Sequence, residues 1–475
     1  MKAGRLLLAG LLTVAATLGA SAAGATNVLF IVVDDLNTDL GCYGNATVKS
    51  PNIDRLAARG VRFDRAYCQY SLCNPSRTSF LSGRRPENTG VYVLSTPART
   101  ALPDAVLLPQ FFRQHGYFTG GAGKVFHNVK MNDAKSWDFY EDADPADPQE
   151  LAALKSRAGG DGQPAWAVLD SDGSQTRDGH NAETISRLLA EQTAAKKPFF
   201  LAAGFHKPHL PWTAPKKFFD LYPDGTITAA VEPAMRDIPA IALQTELSGF
   251  DQPSSREAAM RAYYACVSST DYRVGLLLDQ LDRLDLWKNT IVVLLGDNGF
   301  HLGDHGGLWA KLSAFDQSTH VPLIIAGAGV PVGQVVNAPS ELLDIYPTLL
   351  ALGGFPVATD LEGRSLVPLI CGEKETTPRL AHSMVFHYDV AAKRDVVSRT
   401  VIAAQWRYTE WDGGTAGREL YWRADDPAEY RNRIADPSLA ASARDGKAEL
   451  QKIPAPKPGP ANRPRALTPP ELRIN

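Results

Sequence analysis

Cysteine is scarce in this chain: 5 of 475 residues, at Cys42, Cys68, Cys73, Cys266 and Cys371. That density excludes a disulfide-built scaffold, and the spacing carries no paired-cysteine zinc pattern. It leaves room for one disulfide among small buried thiols. Charge of one sign is missing too: 49 Lys and Arg face 52 Asp and Glu, for a formal net charge of −3. A protein that binds nucleic acid chiefly through phosphates needs a basic excess, so no nucleic-acid partner is expected. No internal repeat is present, and no apolar run after residue 25 is long enough to cross a bilayer. With 44% hydrophobic and 21% charged residues, the composition is that of a globular protein with room for more than one domain.

What is there begins at the N-terminus. Lys2 and Arg5 precede an apolar stretch over 6–18, and Ala20-Ser21-Ala22 and Ala23-Gly24-Ala25 are small-residue cleavage candidates. This is the pattern of a secretory signal. We expect residues 1–25 to be a signal peptide, a secreted or periplasmic protein, and no transmembrane segment after cleavage.

The run Val28-Leu29-Phe30-Ile31-Val32-Val33 reads as a buried strand of a parallel sheet. Further strands are expected over 199–203, 291–295 and 321–325, with helices over 51–59, 106–115, 256–286 and 341–352. Strands alternating with helices predict an α/β sandwich. Past about residue 361 the pattern changes to short strands over 399–411 and 419–422. We therefore expect a main domain over 26–360, a smaller α+β subdomain with an antiparallel sheet over 361–452, and a proline-rich tail over 453–475.

Two carboxylate-bearing pairs follow expected strands: Asp34-Asp35 after the first, Asp297-Asn298 after the third. Such pairs often cap helices or close turns. Parallel strands, however, deliver both to one edge of the sheet, where α/β proteins bind ligands. An oxygen-only donor set with an amide suits Ca2+, with Mg2+ second, rather than zinc.

The most informative stretch is Cys73-Asn74-Pro75-Ser76-Arg77, followed by Leu81-Ser82-Gly83-Arg84. Pro75 suits a first helical turn and Gly83 a helix end. The pattern resembles the signature of the type I sulfatases, in which Cys-x-Pro-Ser-Arg marks one cysteine for oxidation to formylglycine. Gly123-Lys124-Val125-Phe126-His127, Lys207-Pro208-His209-Leu210-Pro211, Trp309-Ala310-Lys311 and the segment from Asp316 to Leu323 resemble the iduronate-2-sulfatase branch in particular. The likeness runs from Asn27 to about Asn432.

The resemblance implies an alkaline-phosphatase-like sandwich with a large mixed, mostly parallel sheet. It implies a divalent cation on Asp34, Asp35, Asp297, Asn298 and the modified Cys73, and a formylglycine-generating maturation enzyme as a partner. The hydrated aldehyde would attack sulfur, with Arg77 and Lys124 holding its hydroxyls and the sulfate oxygens. His209 or Lys311 would assist the departing alcohol. His127 would take the proton that lets sulfate leave. The implied substrate is a sulfated oligosaccharide, favoured as a uronate 2-O-sulfate; carrageenan- or fucoidan-type sulfates remain open. Arg399 and Arg407 are candidates to meet a sugar carboxylate, with salt bridges the alternative.

Two features depart from the branch. Asn298 stands where its pattern has His, and 141–177 carries no matching motif. Such loops choose substrates. The rival readings are a phosphatase or phosphonate monoester hydrolase of the same fold, and a non-catalytic glycan-binding relative.

Overall fold

The computed structural model describes residues 26–158, 166–244, 250, 252–389 and 392–457. The expected signal peptide and the tail from 458 lie outside the described residues. The strands of the main sheet are β1 (Asn27–Val33), β2 (Gly60–Phe63), β3 (Phe118–Gly123), β4 (Phe139–Glu141), β5 (Phe199–Phe205), β6 (Thr290–Gly296), β7 (Leu323–Gly327) and β8 (Gln334–Val336). Their spatial order is β8-β2-β7-β6-β1-β5-β3-β4. All pairs are parallel except those of β7 with β6 and β2. This is the mixed, mostly parallel sheet of the expected fold.

Alternation along β1 builds the two layers. Leu29, Ile31 and Val33 enter one core, with Ile185 and Leu188 of α2 (Arg177–Ala194) and Ala262 and Val267 of α3 (Pro253–Arg283). Val28, Phe30 and Val32 enter the other. There they meet Phe80 and Leu81 of the helix Cys73–Ser82 and Leu349 and Leu350 of the helix Ile345–Leu352. A strand buried on both faces is apolar throughout, which is why 28–33 reads so clearly.

Several expectations shift. The strand expected over 321–325 divides at Pro322, which has no N–H to give a ladder. His320–Val321 joins a small separate sheet, and β7 runs antiparallel in the main one. The helix expected over 341–352 starts as a 3-10 turn, Leu342–Asp344. The disulfide left open is not formed: all five cysteines are free. β3 was not expected at all. Its sequence, Phe-Thr-Gly-Gly-Ala-Gly, reads as a turn. Here glycine serves close approach, since a Cβ on Gly123 would sit 2.1 Å from the Gly204 carbonyl oxygen on β5.

A four-stranded antiparallel sheet, β9 (Ala381–Asp389), β10 (Arg394–Ile402), β11 (Trp406–Trp411) and β12 (Gly417–Trp422), follows the main sheet. The helix Ala440–Lys452 packs on it. Arg407, fully buried, bridges this sheet to the main body through Asp316 (2.8 Å) and pairs with Glu429 (2.9 Å) within the smaller part. Arg399 donates to the Leu450 and Ile453 carbonyls. Arg407 is thus taken up by the fold, Arg399 is tied to the C-terminal helix, and neither lines the cleft described below. Among the described residues no helix is long and apolar enough to cross a membrane.

His305 joins the two parts and makes that joint acid-sensitive. Its ring stacks between Phe315 (4.0 Å) and Tyr430 (4.6 Å), and one ring nitrogen lies 3.2 Å from the Glu429 carbonyl oxygen. Burial, aided by His301, lowers its pKa from 6.5 to about 4. Below pH 6.5 the unfolded chain therefore takes the proton first. Stability should fall as pH drops from about 6.5 to about 4 and flatten below, losing at most about 3 kcal/mol from this group. His305 has φ 52, a left-handed conformation that asparagine tolerates. We expect His305→Asn to lose less stability than the parent between those pH values in urea melts; parallel losses would refute this role.

Candidate active site

Four neighbouring strands end together at one edge. Val33 of β1 is in register with Gly296 of β6 and Phe205 of β5, and Gly204 of β5 with Gly123 of β3. Asp34-Asp35, Asp297-Asn298, Lys124 and the segment from His206 to His209 therefore leave the sheet side by side. Helix α1 (Cys73–Ser82) begins beside them, with Cys73 as its first residue; its free N–H groups favour negative charge there. The structure brings every expected metal ligand and catalytic residue to this edge, while Arg399 and Arg407 lie in the C-terminal sheet.

Carboxylate oxygens of Asp34, Asp35 and Asp297 lie within 4.8 Å of one another, and all three residues are buried. Asp35 adopts φ 59, which turns the chain back toward β6. Its N–H donates to Asp297 (3.0 Å), and its carbonyl accepts from the Tyr263 hydroxyl (2.7 Å). Ser76 donates to the Asp297 carbonyl at 2.5 Å. Asn298 donates through Nδ2 to Asp35 (2.8 Å) and the Gly299 carbonyl (2.9 Å). Its Oδ1 is buried and has no hydrogen-bond partner. An orphaned amide oxygen beside three carboxylates fits a hard cation.

Three cations answer the three carboxylates. Arg77 pairs with Asp297 (2.7 Å) and Asp34 (3.3 Å), Lys124 with Asp34, and Lys311 with Asp35. Arg77 also donates to the carbonyls of Lys124 and Val125. All three guanidinium nitrogens are thus engaged, and the residue is 1% exposed. Arg77 thereby fixes the carboxylates of Asp34 and Asp297. Lys311 donates to Cys73 Sγ at 2.9 Å, and that sulfur lies 3.8 Å from Asp35 Oδ1.

The environment sorts the protons. Burial works to raise the Asp34 pKa, yet Lys124, His209, Arg77 and Lys311 together hold it well below the usual carboxylate range. Burial, with Asp34 and Asp35 and against Arg77, brings Asp297 to about 6. Burial and the Asp34 charge push the Cys73 thiol well up. It stays protonated at neutral pH and is a poor nucleophile as it stands. Burial and the Lys124 charge lower His127 to about 3, so its ring is neutral; its Nδ1 is buried and has no hydrogen-bond partner. His209 makes a 2.6 Å contact from Nδ1 to the Leu210 carbonyl, and its Nε2 lies 3.8 Å from Asp35.

A cleft of about 200 Å³ opens from this cluster, lined by Lys124, His127 and His209 and by residues the sequence did not single out: Asp142, Glu150, Arg177, His206 and Lys207. Lys207 opens the block that pointed to His209, and His206 immediately precedes it. Asp142, Glu150 and Arg177 come from the stretch without a matching motif and join the cleft only through tertiary packing.

The Sulfatase family model matches residues 26–355, and a second, "N-sulphoglucosamine sulphohydrolase, C-terminal", matches 303–455. The chain is 33% identical over 460 residues to a sulfatase of Formosa agariphila, covering 90% of this chain and 87% of that one. It is 35% identical over 390 residues to iduronate 2-sulfatase of Mus musculus, covering 71% and 70%. Among solved structures it resembles the phosphonate monoester hydrolase of Agrobacterium radiobacter, with TM-score 0.72, 24% identity and 90% and 95% coverage. A 2-O GAG sulfatase gives TM-score 0.71 at 23% identity, covering 90% and 92%. These two likenesses bear on the fold alone.

Proposed function

Because the chain belongs to the sulfatase family and is a sulfuric ester hydrolase, we propose that it removes sulfate from a sulfated oligosaccharide outside the cytoplasm, through a formylglycine made from Cys73 by a maturation enzyme. The favoured ester is a uronate 2-O-sulfate. The observation that carries this reading is Cys73 at the start of α1, 2.9 Å from Lys311 and beside three buried carboxylates. The 35% identity to an iduronate 2-sulfatase and the blocks around Lys124, His209 and Lys311 favour the uronate. The charged, apolar and small-residue stretches of 1–25 favour export.

Asp34, Asp35, Asp297, Asn298 and the modified residue 73 would hold a divalent cation, Ca2+ before Mg2+ by the number of protein oxygen donors. When bound it neutralises charge on the sulfate and its nucleophile. An aldehyde at position 73 supplies, once hydrated, two hydroxyls on one carbon: one to attack sulfur and one whose deprotonation releases sulfate. Lys124, which lines the cleft, and Lys311, beside Cys73, meet the sulfate oxygens, and Arg77 keeps Asp34 and Asp297 in place. His209 Nε2 or Lys311 assists the departing alcohol. His127, in the cleft beside Lys124, would take the proton of the second hydroxyl, as the resemblance implies.

The same fold serves phosphonate monoester hydrolysis, so sulfate and phosphate esters need direct comparison. The purified, matured protein should favour a 2-O-sulfated uronate disaccharide over aryl phosphate and phosphonate monoesters by roughly 100-fold or more in kcat/KM. Dominant turnover of the phosphorus esters would overturn the reading.

A further inference from the structure

One wall of the cleft comes from the chain around Glu150 and Arg177. Its charges are unequally committed. Lys124 pairs with Asp34. Lys207 donates to the Pro211 carbonyl (2.7 Å) and lies 3.6 Å from Glu150. His206 sits between Asp142 (3.5 Å) and Asp178 (3.2 Å). Arg177 differs: its guanidinium pairs at 2.9 Å with Asp144, whose side chain is 91% exposed. Arg177 Nε is buried and has no hydrogen-bond partner. An ion pair with so exposed a carboxylate is weak and readily exchanged.

The backbone of Arg177, by contrast, is fixed. Its N–H donates to Glu150 at 2.9 Å, and it opens α2 behind the Thr176 cap. The result is a planar, permanently charged fork held at the rim of the cleft that also contains Lys124 and His127. Such a fork matches a carboxylate in two-point contact. Arg399 and Arg407, the arginines that the sequence suggested for this task, are engaged elsewhere.

We propose that Arg177 reads the carboxylate of the sugar that carries the sulfate, displacing Asp144 as the substrate binds. This rests on the uronate reading above. The sulfate then lies toward Lys124 and Lys311, and the second anion of the same ring toward Arg177. Asp144 holds the guanidinium in the meantime.

The test compares two disaccharides that differ only at C6 of the sulfated sugar: a 2-O-sulfated uronate and its carboxyl-reduced counterpart. The wild-type protein should prefer the carboxylate on the order of 30-fold in kcat/KM, the range of a charge-assisted hydrogen-bonded contact. Arg177→Ala should bring that ratio close to one. Arg177→Lys, which keeps the charge and the backbone bond to Glu150 but loses the fork, should fall between. A wild-type ratio near one, or a wild-type ratio retained by either variant, overturns the assignment of Arg177. Hydrolysis of neither disaccharide, alongside turnover of some other sulfated sugar, overturns the uronate reading itself.

Discussion

Cys73→Ser should cost at least about 10^4-fold in turnover, as loss of a covalent nucleophile does, and leave the fold intact. Cys73 is buried at the head of α1, and its sulfur touches Lys311 and Asp35. Serine is smaller and polar and keeps a donor and acceptor for both neighbours, so packing changes little. Its single hydroxyl can still attack sulfur: a Ser Oγ–S bond forms, the ester O–S bond breaks, and the alcohol leaves with a proton. No second hydroxyl then remains for His127 to deprotonate, and sulfate stays on the protein. Intact mass after incubation with substrate should show a gain of about 80 Da from the retained sulfate group. Sustained turnover near the wild-type rate by Cys73→Ser would refute the proposed chemistry.

Removal of divalent ions should lower kcat/KM on the order of 10^3-fold, the weight expected of charge stabilisation at the reacting group. Ca2+ should restore it better than Mg2+. The fold should survive, because Arg77, Lys124 and Lys311 already balance the three carboxylates within the chain. Asp35→Asn is the matching substitution. Asp35 has φ 59, a conformation that asparagine accepts without strain, so the change removes charge and leaves the turn. It should be as inactive as the chelated protein and should not recover with added Ca2+. Full activity of the chelated wild type, or of Asp35→Asn, would contradict the cation site. An unchanged far-UV spectrum in both cases would separate loss of chemistry from loss of fold.

The parts of this site that were legible in the sequence share one cause. β1 and β6 are buried on both faces, so their apolar runs stand out, and whatever follows them lies at the sheet's carboxyl edge. Asp34-Asp35 and Asp297-Asn298 are therefore legible as neighbours from the sequence. Lys124 could be named from its motif, but β3, the strand that delivers it, is half glycine and carries no β signal. The resemblance gives Arg77 the diol hydroxyls and the sulfate oxygens. Only the geometry shows its three nitrogens committed to Asp34, Asp297 and two carbonyls. The cleft wall is the opposite case from β1. Glu150 and Arg177 meet through a bond across 27 residues, and no local pattern encodes such a contact. The same holds for Arg407, whose partners Asp316 and Glu429 lie on separate segments.

The most direct test is the mass of the peptide containing residue 73, taken from active protein made in its own host. Formylglycine predicts a peptide about 18 Da lighter than the thiol form. An unmodified thiol in protein that still hydrolyses sulfate esters would contradict the account.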